Sequence, residues 1–163
     1  FLHWTALFHY FFLNQFQAIR FIVNNLPENK SDNLSSSLTD EDCGIEISTR
    51  TQYLERQSDP ATNSYAFAYT ISICNQREEP VRLLNRHWII TDQNNKVEEV
   101  RGKGVVGQQP VIQPGESFEY SSGTIIGSEI GDMHGSYTME SSDGDQFEAP
   151  IPLFVLAIPS MIH

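Results

Sequence analysis

The chain has 163 residues and a mass of 18.5 kDa, enough for one domain with its own core plus an appendage. Its 10 basic and 21 acidic side chains give a formal net charge of −11, a field that repels phosphate backbones and anionic lipid headgroups. Nucleic acid and stable membrane insertion of the domain are therefore not expected, and 39% hydrophobic residues argue against global disorder.

The first stretch, Phe1 to Leu26, is aromatic-rich with Arg20 as its one formal charge. A membrane span needs about 20 largely apolar residues, and His3, His9, Asn14, Gln15 and Gln17 interrupt this one. A basic n-region and a small-residue cleavage site are also missing, so it does not read as a secretory signal. The polar run PENKSDNLSSSLTDED follows. Residues 1–41 are expected to be an extension and linker outside the native domain, with a short amphipathic helix as the second reading of the apolar part. The domain is expected to span 42–163.

From Cys43 onward the texture becomes β. Ile45, Ile47, Thr49, Thr51 and Tyr53 alternate with polar neighbours, as on a half-buried strand. After the turn cluster SDPATN, the alternating Tyr65, Phe67, Tyr69, Ile71 and Ile73 predict a second strand. VRLLNRHWIITD predicts a third, and DQNNK turns it back into VEEVR. RGKGVVGQQPVIQPGE is a glycine loop, followed by the strands ESFEYSSG and GDMHGSYTMESS. Asp143-Gly144 is a hairpin signal leading into QFEAPIPLFVLAIP. Pro150, Pro152 and Pro159 cannot donate ladder hydrogen bonds, which predicts that this last strand is an edge or is broken. The expected fold is all-β, an antiparallel sandwich of about seven strands, with a small closed barrel as the alternative. Cys43 and Cys74 lack a CxxC spacing and are expected to be two thiols in a reducing cytoplasm.

Four strings, RHWIITD (86–92), GKGVVGQQPVIQPGESFEYSSG (102–123), GDMHGSYTM (131–139) and FEAPIPLFVLA (147–157), together resemble the ApaG family. The resemblance covers about three quarters of the chain, counted from the first expected strand to the last. It implies an immunoglobulin- or fibronectin type III-like sandwich, and a bacterial stand-alone domain without an established activity. Its relatives occur within an F-box subunit of ubiquitin ligases and a DNA-polymerase-interacting protein, which implies protein binding. Bacterial members are associated with cobalt resistance and magnesium efflux, and their genes often neighbour a diadenosine tetraphosphate hydrolase. The stretch 1–40 departs from the family's usual short leader.

Gly102-Lys103-Gly104-Val105-Val106-Gly107 spells GxGxxG. In dinucleotide-binding folds that pattern works by leading a strand into a helix N-terminus. Here Pro110 and Pro114 leave no room for the helix, so the Rossmann reading fails. Two readings remain. The loop needs positive φ or close packing, or its bare amides form an anion nest with Arg101, Gly102, Lys103, Gly104 and Gly107.

Alternation places Arg86 and Trp88 on one face and His87 on the other. Trp88 is expected in the core, and Arg86 must snorkel or find a carboxylate. His87 reads first as a hydrogen-bonded structural histidine. With Asp132 and His134 it is also a weak divalent-metal candidate, although such a site wants three or four ligands. Glu98-Glu99 and Asp143-Asp145 read as solvated turn and edge residues. No GxSxG, HExxH or P-loop occurs, and Ser121 and Ser122 have no identifiable base.

The leading expectation is a non-catalytic binding module with a protein partner and no resident cofactor. A surface cluster of Phe118, Tyr120 and Phe154 would support it. The alternative is a binder of a phosphate-containing ligand, a nucleotide or dinucleoside polyphosphate, at the glycine loop. A metal-responsive protein ranks third and a nucleotide hydrolase last.

Overall fold

The computed structural model describes residues 36–40 and 43–162, and the expectations for the first 35 residues lie outside it. The described residues form nine strands. These are β1 (Ser36–Asp40), β2 (Ile45–Tyr53), β3 (Tyr65–Asn75), β4 (Val81–Asp92), β5 (Val97–Lys103), β6 (Val111–Ile112), β7 (Ser117–Ile126), β8 (Ile130–Ser141) and β9 (Gln146–Ala157). One sheet runs β1-β2-β3-β7 and the other β5-β4-β8-β9, with β6 pairing the start of β4. Every pairing is antiparallel. Among the described residues there is no α-helix, and no helix is long and apolar enough to cross a membrane.

All seven expected strands are present. The two further ones come from segments with little apolar alternation: β1 lies inside the stretch expected as linker, and β6 is two residues at the end of the glycine loop.

The core fills the space between the sheets because alternate residues point inward. Ile45, Ile47, Phe67, Tyr69, Ile71 and Ile73 from one sheet meet Trp88, Ile90, Met133, Tyr137, Ile151 and Phe154 from the other. Trp88 is at its centre, edge-on to Tyr69 and Phe154 with ring centroids 5.6 and 5.8 Å away. Phe154 and Tyr120 are buried in this core and Phe118 packs against it, so these rings form no surface cluster. That correction follows from the pleat: in β7 Tyr120 shares the inward face, and in β9 Phe154 does so after a bulge.

Two irregularities decide which side chains face out. In β4 the register against β8 shifts between Leu83 and Asn85, so odd positions (Val81, Leu83) point inward before it and even ones (Arg86, Trp88, Ile90) after it. In β9 the shift between Ile151 and Phe154 leaves Leu153 exposed, and β9 is the sheet's edge, as its prolines predict. The Asp92–Lys96 hairpin closes on Asp92 Oδ1, which accepts from the amides of Asn94 (2.8 Å) and Lys96 (2.9 Å). The Asp143-Gly144 signal also marks a hairpin, with Gly144 at φ 87°. Cys43 is buried, its Sγ donating to Ile45 O at 3.9 Å, and Cys74 is half-buried.

Candidate functional site

The glycine loop joins β5 to β6 along one side of β4, where the β4 bulge exposes the Leu84 carbonyl. That oxygen accepts from Gly104 N (2.8 Å) and from Gln109 Nε2 (2.8 Å). Val105 is fully buried, and Val105 and Gln108 exchange both backbone hydrogen bonds. The two residues between them, Val106 and Gly107, have φ of 44° and 79°, the pattern of a tight hairpin turn. Gly104 has φ 62°, and a Cβ there would lie 2.1 Å from Gln108 O. The amides of Gly104, Val105 and Gln108 are therefore spent on carbonyls and do not converge on a common point.

Beside the loop, four strands present a polar outer face. Cross-strand register sets Lys103, Asn85, Thr138 and Glu148 in one row, and Arg101, His87 and Ser136 in the next. With Arg86 and Gly102 they line an open depression of about 500 Å³. The β5 wall is cationic. Across it, Glu148 accepts from Ser136 Oγ and Thr138 Oγ1, each at 2.7 Å. Arg101 donates through Nε (3.1 Å) and Nη2 (2.7 Å) to Glu99 Oε1, and His87 Nε2 lies 2.6 Å from the same oxygen. Arg101, and after it His87, hold the Glu99 carboxyl below its ordinary value.

Arg86 braces the depression from within. Among the described residues it finds no carboxylate. Its Nη1 donates instead to Gly104 O (2.7 Å) and Lys103 O (3.1 Å). Next to it lie the phenols of Tyr69, Tyr120 and Tyr137, all pushed up by burial and partly pulled back by the Arg86 charge. The Tyr120 and Tyr137 hydroxyls hydrogen-bond at 2.5 Å.

Of the expected anion-loop residues, Arg101, Gly102 and Lys103 line the depression, whereas Gly104 and Gly107 belong to the hairpin excursion. His87, Asp132 and His134 all face outward by register. Among the described residues, however, no three His, Cys, Asp or Glu gather to hold a metal ion. Ser136 sits across from His87, yet His87 is engaged by Glu99 and Ser136 by Glu148, so the pair makes no nucleophile–base bond. Asn85, Ser136, Thr138 and Glu148 were not singled out from the sequence. Ser136 and Thr138 show only as polar alternation on β8, and Asn85 of β4 and Glu148 of β9 join them only through cross-strand register.

Two antiparallel sheets packed face to face around Trp88 make this an immunoglobulin- or fibronectin type III-like sandwich domain. The ApaG domain family profile matches residues 55–141. Protein ApaG of Dechloromonas aromatica (strain RCB) is 56% identical over 119 residues, 73% of this chain and 94% of the relative. Protein ApaG of Azoarcus sp. (strain BH72) is 51% identical over the same coverage. The X-ray structure of a structural-genomics target, SoR45, superposes with a TM-score of 0.70 at 45% identity, covering 74% of this chain and 91% of that one. A Bordetella pertussis crystal structure gives 0.69 at 48%, covering 71% and 94%. The chain belongs to the ApaG family.

Proposed function

We propose that the chain is a non-catalytic binding module that engages an acidic segment of a partner protein on the outer face of the β5-β4-β8-β9 sheet. One observation carries this reading. On a chain of net charge −11, the lining of the depression gathers Arg86, Arg101 and Lys103 against the carboxylate of Glu148, with Glu99 just outside it bonded to Arg101 and His87. An open, polar hollow with a cationic wall suits carboxylates presented by another protein, and steers them by long-range attraction. Its hydroxyls and Asn85 add hydrogen-bonding partners of both kinds.

A phosphate-containing ligand is the second reading, supported by the same Arg101 and Lys103, with the site moved from the loop amides to the β5 wall. A part in cobalt or magnesium homeostasis would then be exercised through the bound partner. The cytoplasm fits an acidic module with two thiols.

The test is calorimetric titration of an Asp/Glu-rich peptide into the wild type and Lys103→Glu. Binding that weakens at least tenfold in the variant supports the reading. Equal affinity in both would place the contact elsewhere.

A further inference from the structure

Beyond the binding face, β5 carries a second feature on its free side. β5 is an edge strand with neither proline nor bulge, and its register against β4 is continuous from Thr91↔Val97 to Asn85↔Lys103. Asp92 N donates to Lys96 O, and Gly104 N donates to Leu84 O. These bonds bracket the strand and fix the alternation: Glu98, Val100 and Gly102 point their backbone groups at β4. Val97, Glu99, Arg101 and Lys103 therefore point theirs away, and no described strand receives them.

We propose that β5 pairs antiparallel with β5 of a second copy, joining two sheets across a two-fold axis through Val100. The sequence Val97-Glu98-Glu99-Val100-Arg101-Gly102-Lys103 is self-complementary in that register. Glu99 of one copy faces Arg101 of the other and the reverse, while Val97 faces Lys103. These are the residues whose edge N–H and C=O groups are free, so each facing pair exchanges two hydrogen bonds. The half-buried Val100 side chains meet at the axis, where non-hydrogen-bonded partners approach most closely. Opposite charges directly across antiparallel strands stabilise pairing, and like charges oppose it. Slipping to the next register of the same parity sets either Glu99 against Glu99 or Arg101 against Arg101. The charges that guard this edge against indiscriminate pairing thus select one self-pairing. The interface is isologous, as two-fold dimers require. It also brings two cationic walls side by side.

Pairing one strand buries little area, so the dimer is weak and concentration-dependent. Sedimentation velocity of the full chain from about 10 μM to about 1 mM is expected to show a monomer–dimer equilibrium. Glu99→Arg and Arg101→Glu should each abolish it, and the double swap E99R/R101E should restore it. In parallel, amide hydrogen exchange should show Glu99 and Arg101 protected only at high concentration. A wild type that stays monomeric throughout overturns the proposal, as does a dimer that survives either single reversal. A double swap that folds and stays monomeric also overturns it.

Discussion

The guanidinium of Arg86 fills the space that a Cβ on Gly102 would need, with Cζ, Nη1 and Nη2 each 2.8 Å from that position. Through this contact one inward arginine ties the cationic wall to the glycine loop. Gly102→Ala would have to displace a side chain already bonded to two carbonyls, and is expected to cost about 1–3 kcal/mol. Gly107→Ala meets open space but sits at φ 79°, so about 1 kcal/mol is expected. Gly104→Ala suffers both penalties and should be the worst of the three. Urea denaturation ranks them, and a Gly102→Ala protein as stable as wild type would contradict the bracing role.

The Tyr120–Tyr137 hydroxyl pair is buried, so its members depend on each other. Tyr120→Phe or Tyr137→Phe alone leaves one hydroxyl orphaned and should cost about 1–3 kcal/mol. The double substitution removes both and should cost less than the sum of the singles, which a double-mutant cycle measures.

Burial raises both phenols above their ordinary value of 10.0. A folded-state value above the unfolded one means that this stabilisation is complete below pH 10.0 and is lost as pH rises towards the folded value. Ultraviolet titration should show these tyrosines ionising with unfolding rather than before it.

Glu99 titrates in the opposite sense. Its carboxyl is held below the ordinary 4.5 by Arg101 first and His87 second, so its contribution is present above pH 4.5 and is lost as pH falls through the depressed value. Arg101→Ala should raise the Glu99 midpoint towards 4.5, which carboxyl-carbon NMR reads directly. An unchanged midpoint would mean that the ion pair is not maintained in solution.

Asn75 is fully buried and bonds through Nδ2 to Glu79 O (2.8 Å) and Ile112 O (2.9 Å), and through Oδ1 to Arg77 N (3.0 Å). Asn75→Ala removes three side-chain hydrogen bonds to the backbone and should cost about 2–4 kcal/mol, seen as a lower urea midpoint at unchanged slope.

The strands were legible where apolar residues alternate, as in Ile45–Tyr53 and Tyr65–Asn75, because period two alone selects the buried face. Ser36–Asp40 was not, since SSLTD carries no such pattern and becomes a strand by pairing with β2. The burial of Trp88 was legible, but the bonding of Arg86 to carbonyls was not, because it depends on the bulge at Leu84. The depression was half legible. Arg101 to Lys103 stood out as a charged glycine motif, whereas Ser136, Thr138 and Glu148 join them only through cross-strand register. Phe118, Tyr120 and Phe154 misled because aromatic residues on a strand look alike whether they face a core or a partner.

The outer face of the β5-β4-β8-β9 sheet is the proposed seat of an acidic protein segment. The most direct test is an amide NMR titration of the full chain with an Asp/Glu-rich peptide, diadenosine tetraphosphate, magnesium and cobalt in turn. Shifts from the peptide centred on His87, Arg101, Lys103, Ser136 and Thr138, fading as salt is raised, are the predicted result. A folded chain whose spectrum does not respond to the peptide, or responds only away from those residues, would contradict the claim.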